Sequence, residues 1–169
     1  NLSLQYLMFR QPALGCTQVM TNSYFRFCSE IFKRLMNEQP PYIYLHDVYT
    51  MWISQMIGAN VIVDDDCYIL YRQHCNNVTS HKTETVLQKI KRVAKRKRKH
   101  KGEAYETFNI LGRLLNEHLK PEVIEVLNRL SNYKDSLIKT LSFAFYIQKY
   151  FDKASIKASV MYSILLRLY

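Results

Sequence analysis

The chain has 169 residues and a mass of 20.1 kDa, and 48% of its residues are apolar, which is enough for one domain with a real core. This composition excludes wholesale disorder, and no apolar run reaches the roughly 18 residues that a membrane-spanning helix needs. Nine of the 24 Lys and Arg residues lie in the acid-free segment 89–101, and the other 15 are balanced by 14 acids elsewhere, so the net charge of +10 belongs to one segment.

Glycine and cysteine usage restrict the function further. The four glycines lie too far apart for a Walker loop or a dinucleotide-binding turn, which excludes both kinds of phosphate site. The four cysteines have no CxxC pairing, so we expect a reducing compartment, and the N-terminus has no signal-peptide layout. Because the chain begins at Asn1 and not at Met, we expect it to be a piece of a longer protein.

The first half predicts a mixture of short strands and helices. Residues 16–20 (CTQVM) have the composition of a short strand, and Thr21-Asn22-Ser23 then offers residues that begin helices. Helical spacing follows, and Pro40-Pro41 ends that helix. The residues predicted to share its buried face are Phe25, Cys28, Phe32 and Leu35.

A second helix is predicted over roughly residues 47–57, with Gly58 as its C-terminal stop and His46-Asp47 at its N-terminus. Residues 60–63 (NVIV) predict a strand, the three aspartates 64–66 a turn, and residues 67–73 a further strand. The two strands could pair as a hairpin, although other pairings are open.

From about residue 83 the pattern is helical throughout. The predicted helices cover 83–100, 103–118, a segment that begins near Pro121, 134–151 and 153–168. Two stripes should face a core; their residues are Tyr105, Phe108, Leu111, Leu114 and Leu115, and then Val123, Ile124, Val126, Leu127 and Leu130.

Three patches in the first half share an order and spacing. They are GCTQVMTN (15–22), LHDVYTMW (45–52) and YILYRQHCNNVTSH (68–81). Together they resemble the C-terminal part of bacterial family 2 glycosyltransferases, especially the rhamnosyltransferase-like members, over about residues 1–82. The specific part is YRQH followed by NNV. The resemblance implies an α-rich α/β fold, with the acceptor-side portion of a GT-A domain and its short strands in residues 1–82, and a helical C-terminal region in 83–169.

The resemblance also implies an inverting enzyme. It would transfer a sugar from a nucleotide-sugar donor to a glycan or lipid-linked acceptor in cell-surface polysaccharide synthesis. The nucleotide-binding half, with its Asp-x-Asp metal motif, would precede Asn1, so this chain alone should be inactive. Asp47 matches the family carboxylate that takes the proton from the acceptor hydroxyl. The simpler interpretation of Asp47 is a first-turn carboxylate that stabilises the helix dipole by about 0.3–1 kcal/mol.

His74 in YRQH matches a family position that helps to hold the divalent ion, Mn²⁺ or Mg²⁺, which the missing half would mainly bind. The alternative is a polar strand end whose imidazole bonds to the backbone. Arg72 is the expected partner of the diphosphate. The family usually has Trp directly after the Asp; here that position is Val48, and Trp52 follows one turn later. The substrate-binding residues that the resemblance implies are Gly15, Cys16, His46, Trp52, Arg72 and Asn77.

Two other patterns are weaker. The aspartates 64–66 look like a metal motif, but the resemblance places them in a turn, where adjacent carboxylates are usually solvated. Cys67, His74, Cys75 and His81 lack the paired spacing of a zinc site, so zinc is not predicted.

The basic segment 89–101 allows three interpretations. It could be a solvated helix face, or the contact surface of a non-enzymatic helical module that binds nucleic acid. The absence of aromatic residues within it disfavours base stacking. It could also rest on an anionic membrane, because aromatic and Lys residues alternate further along the chain. These are Phe143, Phe145, Tyr146, Tyr150 and Phe151 among Lys139, Lys149, Lys153 and Lys157. We favour a cytoplasmic protein peripheral on the inner face of the membrane; in the rival interpretation these aromatics pack a helical bundle.

Overall fold

A computed structural model of the chain describes residues 3–9, 17–40, 46–64, 66 and 103–165. Within them the regular structure is helical. The α-helices are α1 (Leu4–Leu7), α2 (Asn22–Asn37), α3 (His46–Ile57), α4 (Glu103–Leu114), α5 (Pro121–Asn132), α6 (Leu137–Gln148) and α7 (Ala154–Leu165), and a 3₁₀ turn at Asn116–His118 lies between α4 and α5.

The helices begin and end where local chemistry favours it. The Thr21 hydroxyl accepts a hydrogen bond from the Tyr24 N–H and so caps α2, as the sequence predicted. Pro121 occupies the first turn of α5, where a missing N–H costs nothing. Gly58 ends α3 with a φ of +73°, and the Ala59 N–H reaches back to the Ser54 carbonyl at 2.8 Å, which is the pattern of a Schellman motif.

The helices pack sequentially around one core. α1 and α2 both contact α3, α2 also contacts α4, and α4, α5, α6 and α7 follow as neighbouring pairs. The core therefore includes residues from both sides of segment 67–102. Its largest fully buried side chains are Tyr49, Tyr133, Phe108, Phe143, Phe151, Leu35, Ile53, Met56, Leu111, Leu115, Leu130 and Ile147.

The predicted α/β fold with short strands is wrong for the part of the chain that the structure describes, since no strand occurs there. Residues 18–20 and 60–63, which belong to the segments predicted as strands, lie outside regular elements. Ile62 and Val63 are 85% and 62% exposed. A four-residue apolar segment becomes a strand only when another segment supplies hydrogen bonds to its backbone, and these two have no such neighbour among the described residues. The strand predicted over 67–73 and the helix over 83–100 lie outside the described residues.

The predicted core faces are mostly confirmed. In α2, Cys28 and Leu35 are buried and Phe32 is partly buried, but Phe25 is 57% exposed, which corrects its prediction as a core residue. Ile31 is also buried: at about 100° for each residue, Cys28, Ile31 and Leu35 share an arc of about 60°, and Phe25 lies beyond its edge. In α5, Ile124 is likewise outside the core at 43% exposure, whereas the other predicted residues of its stripe are buried.

Candidate functional site

Two of the three motif patches meet at the N-terminus of α3. The half-buried Gln18 side chain spans the first turn of that helix: its Nε2 donates to the Asp47 carbonyl at 3.1 Å, and its Oε1 accepts from the Thr50 hydroxyl at 2.6 Å. The Thr50 hydroxyl also lies 3.0 Å from the same carbonyl. The Gln18 side chain therefore connects residues 17–22 to residues 46–52, although the two segments are separated along the chain.

Asp47 is the second residue of α3 and is only 5% exposed. Its Oδ1 accepts a hydrogen bond from the Val48 N–H at 2.9 Å. A carboxylate in this position interacts favourably with the positive end of the helix dipole, so the structure satisfies the simpler interpretation of Asp47. The same position also fixes the carboxylate rigidly, which a catalytic base needs.

Trp52 belongs to the core. It is 3% exposed, its Nε1 donates to the Leu7 carbonyl at 3.1 Å, and its ring centroid lies 4.3 Å from that of Phe108 and 5.7 Å from that of Tyr49. It joins α1, α3 and α4. Its place among these side chains makes it a support for the helix that carries Asp47.

The other predicted site residues divide into two groups. His46 is the first residue of α3, exposed and next to Asp47 in the chain. The rest, Gly15, Cys16, Arg72, His74 and Asn77, lie outside the described residues, so the predicted metal and diphosphate contacts stay predictions. In the part of the chain that the structure describes, no three His, Cys, Asp or Glu side chains gather as a metal site would require.

A buried pair on α2 supports the position of α3. The Tyr24 hydroxyl donates to the Thr50 carbonyl at 2.6 Å, and burial raises the pKa of this phenol well above its usual range. Burial also raises the pKa of the Cys28 thiol, one turn away on α2. Both groups are therefore neutral at physiological pH, and the Tyr24 hydroxyl ties α2 to the N-terminal part of α3.

Sequence reasoning missed Gln18, Thr50 and Tyr24. Gln18 and Thr50 both lie inside patches that the resemblance had identified, but their pairing depends on how two distant segments meet. For Tyr24 the sequence carries no signal, because a tyrosine one turn into an amphipathic helix is ordinary.

A second surface feature lies between α4 and α5. It is an open groove of about 550 Å³ lined by both polar and apolar side chains. Arg113 at its edge pairs with Glu38 at 3.1 Å, and Asn109 accepts from the Ser131 hydroxyl at 3.1 Å. The residues that line it are Asn109, Gly112, Arg113, Asn116, Leu119, Ile124, Leu127, Asn128 and Ser131.

Comparison with known proteins finds no matching family model, no matching curated protein and no matching solved structure. Among the described residues no helix is both long and apolar enough to cross a bilayer.

Proposed function

We propose that this chain is the acceptor-side portion of an inverting glycosyltransferase, which acts on a nucleotide-sugar donor and a glycan or lipid-linked acceptor in cell-surface polysaccharide synthesis. The observation that carries the proposal is the Gln18 bridge, because it joins the GCTQVMTN and LHDVYTMW patches at the carboxylate that the resemblance implies is catalytic. The proposal concerns the reaction and the residues at the start of α3; it does not depend on the α/β fold.

In this reaction Asp47 acts as the general base. As the acceptor oxygen attacks the anomeric carbon, a new C–O bond forms, the bond to the diphosphate breaks, and the acceptor proton passes to the Asp47 carboxylate. The acceptor hydroxyl must come within about 2.6–3.2 Å of that carboxylate. The Val48 N–H holds Oδ1 at 2.9 Å, and Gln18 and Thr50 hold the backbone at the same turn. The divalent ion that the resemblance implies is proposed to bind mainly to residues outside this chain, with His74 as the contribution from within it.

The test is Asp47→Asn in the longer protein that contains this chain, assayed for sugar transfer. The variant keeps the side-chain oxygen that Val48 contacts and removes only the charge. Because a positioned base contributes about 10²–10⁴-fold, we expect transfer to fall by at least about 100-fold while the protein stays folded.

Glu122→Gln is the control, because Glu122 is also a first-turn carboxylate, at the exposed start of α5. It should leave transfer unchanged. If Asp47→Asn retains transfer and lowers only thermal stability, Asp47 is a helix-stabilising carboxylate and the base assignment is wrong.

The basic segment 89–101 supports the second candidate, a non-enzymatic module that binds nucleic acid. Duplex DNA and anionic vesicles can be titrated over a salt series with wild type and with a variant in which these Lys and Arg residues are neutralised. Phosphate contacts give a steep decline of affinity with salt. Steep DNA binding without preference for anionic vesicles, together with no sugar transfer by the wild-type protein, would favour this candidate.

A further inference from the structure

One face of α6 exposes four large apolar side chains. Leu137, Ile138, Leu141 and Phe145 are 74%, 80%, 45% and 58% exposed. At 100° for each residue they occupy an arc of about 100°, and three of them form a ridge with four-residue spacing. We call these four residues the α6 face.

The α6 face is unusual because the opposite side of the same helix already fills the core. Phe143, Ala144 and Ile147 are at most 1% exposed and contribute to the core. A surface helix normally carries polar residues on the side away from the core, and a contiguous exposed apolar patch marks an interaction site. The sequence expectation that aromatics here pack a bundle is met by Phe143 and Phe151, but it leaves Phe145 and its three neighbours unexplained.

Positive charge lies at the C-terminal end of the α6 face. Residues 121–165 contain six Lys and Arg against two Asp and two Glu, and one of the six, Arg129, pairs with Glu125 at 2.9 Å. Lys149 follows Phe145 on the same ridge, one turn further on, and is exposed; Lys139, also exposed, pairs with Asp135 at 2.8 Å. A long lysine side chain beside an apolar ridge can place its stem on hydrocarbon and its ammonium among phosphates.

Aromatic rings with polar tips lie at the same end of α6. The Lys149 ammonium is 4.5 Å from the Tyr146 ring centroid and 5.1 Å from that of Tyr150, and the Arg129 guanidinium is 4.6 Å from the Tyr146 ring. The Tyr146 and Tyr150 hydroxyls are 3.4 Å apart. Surfaces that rest at a membrane–water interface combine tyrosine and lysine with exposed leucine, isoleucine and phenylalanine, as this surface does.

We propose that the α6 face inserts into the surface of an anionic bilayer, with Lys149 and its neighbours contacting the lipid headgroups. Charge selects this occupant: the exposed Lys149, which continues the apolar ridge, favours anionic phospholipid over neutral surfaces, and two copies of the face would bring like charges together. The proposal goes beyond sugar transfer and does not depend on it.

The experiment measures sedimentation of the full 169-residue chain with two kinds of vesicle. One is pure phosphatidylcholine, and the other contains roughly one-third phosphatidylserine. We expect binding to the second kind only. Phe145→Gln should weaken that binding by about tenfold, because it removes the burial of one aromatic side chain in the interface. The variant changes no charge, so the contribution of segment 89–101 is identical in the proteins compared.

Phe25→Gln is a closely matched control, since Phe25 on α2 is 57% exposed, almost the same as Phe145. It should leave vesicle binding unchanged. A second readout uses Phe145→Trp and Phe25→Trp: only the first should show a blue shift of emission with anionic vesicles, against the constant signal of the buried Trp52. Helical circular dichroism confirms that each variant is folded.

Three results would overturn the proposal. Phe145→Gln could bind anionic vesicles as wild type does, or wild type could bind both kinds of vesicle equally. Alternatively, sedimentation equilibrium could show a dimer that Phe145→Gln dissociates and Phe25→Gln does not, which would make a second copy of the chain the occupant of the α6 face.

Discussion

Replacing Trp52 by Phe tests whether this residue supports the fold or lines a substrate pocket. Trp52 is 3% exposed, contacts the Phe108 ring at 4.3 Å between centroids, and donates its Nε1–H to the Leu7 carbonyl at 3.1 Å. Phe keeps the six-membered ring but loses the pyrrole part and the donor.

The expected cost has two parts. The smaller ring buries roughly 50 Å² less apolar surface, which amounts to about 1 kcal/mol. The loss of the donor to a buried carbonyl adds about 1–3 kcal/mol. We therefore expect the free energy of unfolding to fall by about 2–4 kcal/mol, and Tm to fall by about 4–16 °C for a chain of this size.

The assay is urea and thermal unfolding followed by circular dichroism, since the variant has no tryptophan to report by fluorescence. Phe25→Leu, at an exposed position on α2, is the control and should change the free energy by less than about 0.5 kcal/mol. If Trp52→Phe is as stable as wild type but weakens binding of the acceptor in the proposed transfer reaction, Trp52 is a substrate-binding residue and our assignment to the core is wrong.

Three further predictions concern stability. Gly58→Ala should lower the free energy of unfolding by about 1–2 kcal/mol because φ is +73°, and Gly58→Asn should lower it less, since Asn tolerates this backbone region. If urea unfolding shows equal losses for the two variants, the cost comes instead from the Lys120 side chain, which the new Cβ atom would contact in either variant. Thr140→Val should lower the free energy of unfolding by about 1–3 kcal/mol, because the buried Thr140 hydroxyl donates to the Tyr133 carbonyl at 2.7 Å. An unchanged urea midpoint would contradict this prediction. Burial raises the pKa of Cys28 and Tyr24, so the unfolded chain loses these protons at lower pH than the folded chain. The contribution of these two groups to the free energy of unfolding should be complete below about pH 8.5 and decline above it, and the decline should be less steep in Cys28→Ala. A urea midpoint that stays constant up to about pH 10.5 would refute this reasoning.

Helix positions could largely be predicted because their signals are local. Thr21, Gly58 and Pro121 each act on the backbone within one turn, and the structure confirms all three. The predicted strands failed for the opposite reason. Residues 60–63 have the β-branched composition of a strand, but a strand also needs a second segment to pair with, which composition does not supply. Val63 in this segment is 62% exposed.

The candidate site was predictable only in part. Asp47 could be identified from its patch and its place at the start of a helix. Its neighbour Gln18 could not, because 29 residues separate Gln18 from Asp47 and only packing brings them to 3.1 Å. Trp52 was expected near substrate, yet its contacts with Leu7 and Phe108 come from segments that lie far apart in the chain.

The amino-acid sequence by itself determined roughly where the described helices lie and which residues carry the concentrated positive charge, since each depends on residues close together in the chain. Tertiary structure decided which apolar side chains are core where one helix carries two apolar faces. Phe143 and Phe145 are two positions apart with the same side chain, and one is 1% exposed and the other 58%. The difference arises because α6 packs against the core through only one of its two apolar faces. Which face is buried depends on how α5 and α7 pack against α6, and the sequence of α6 does not determine it.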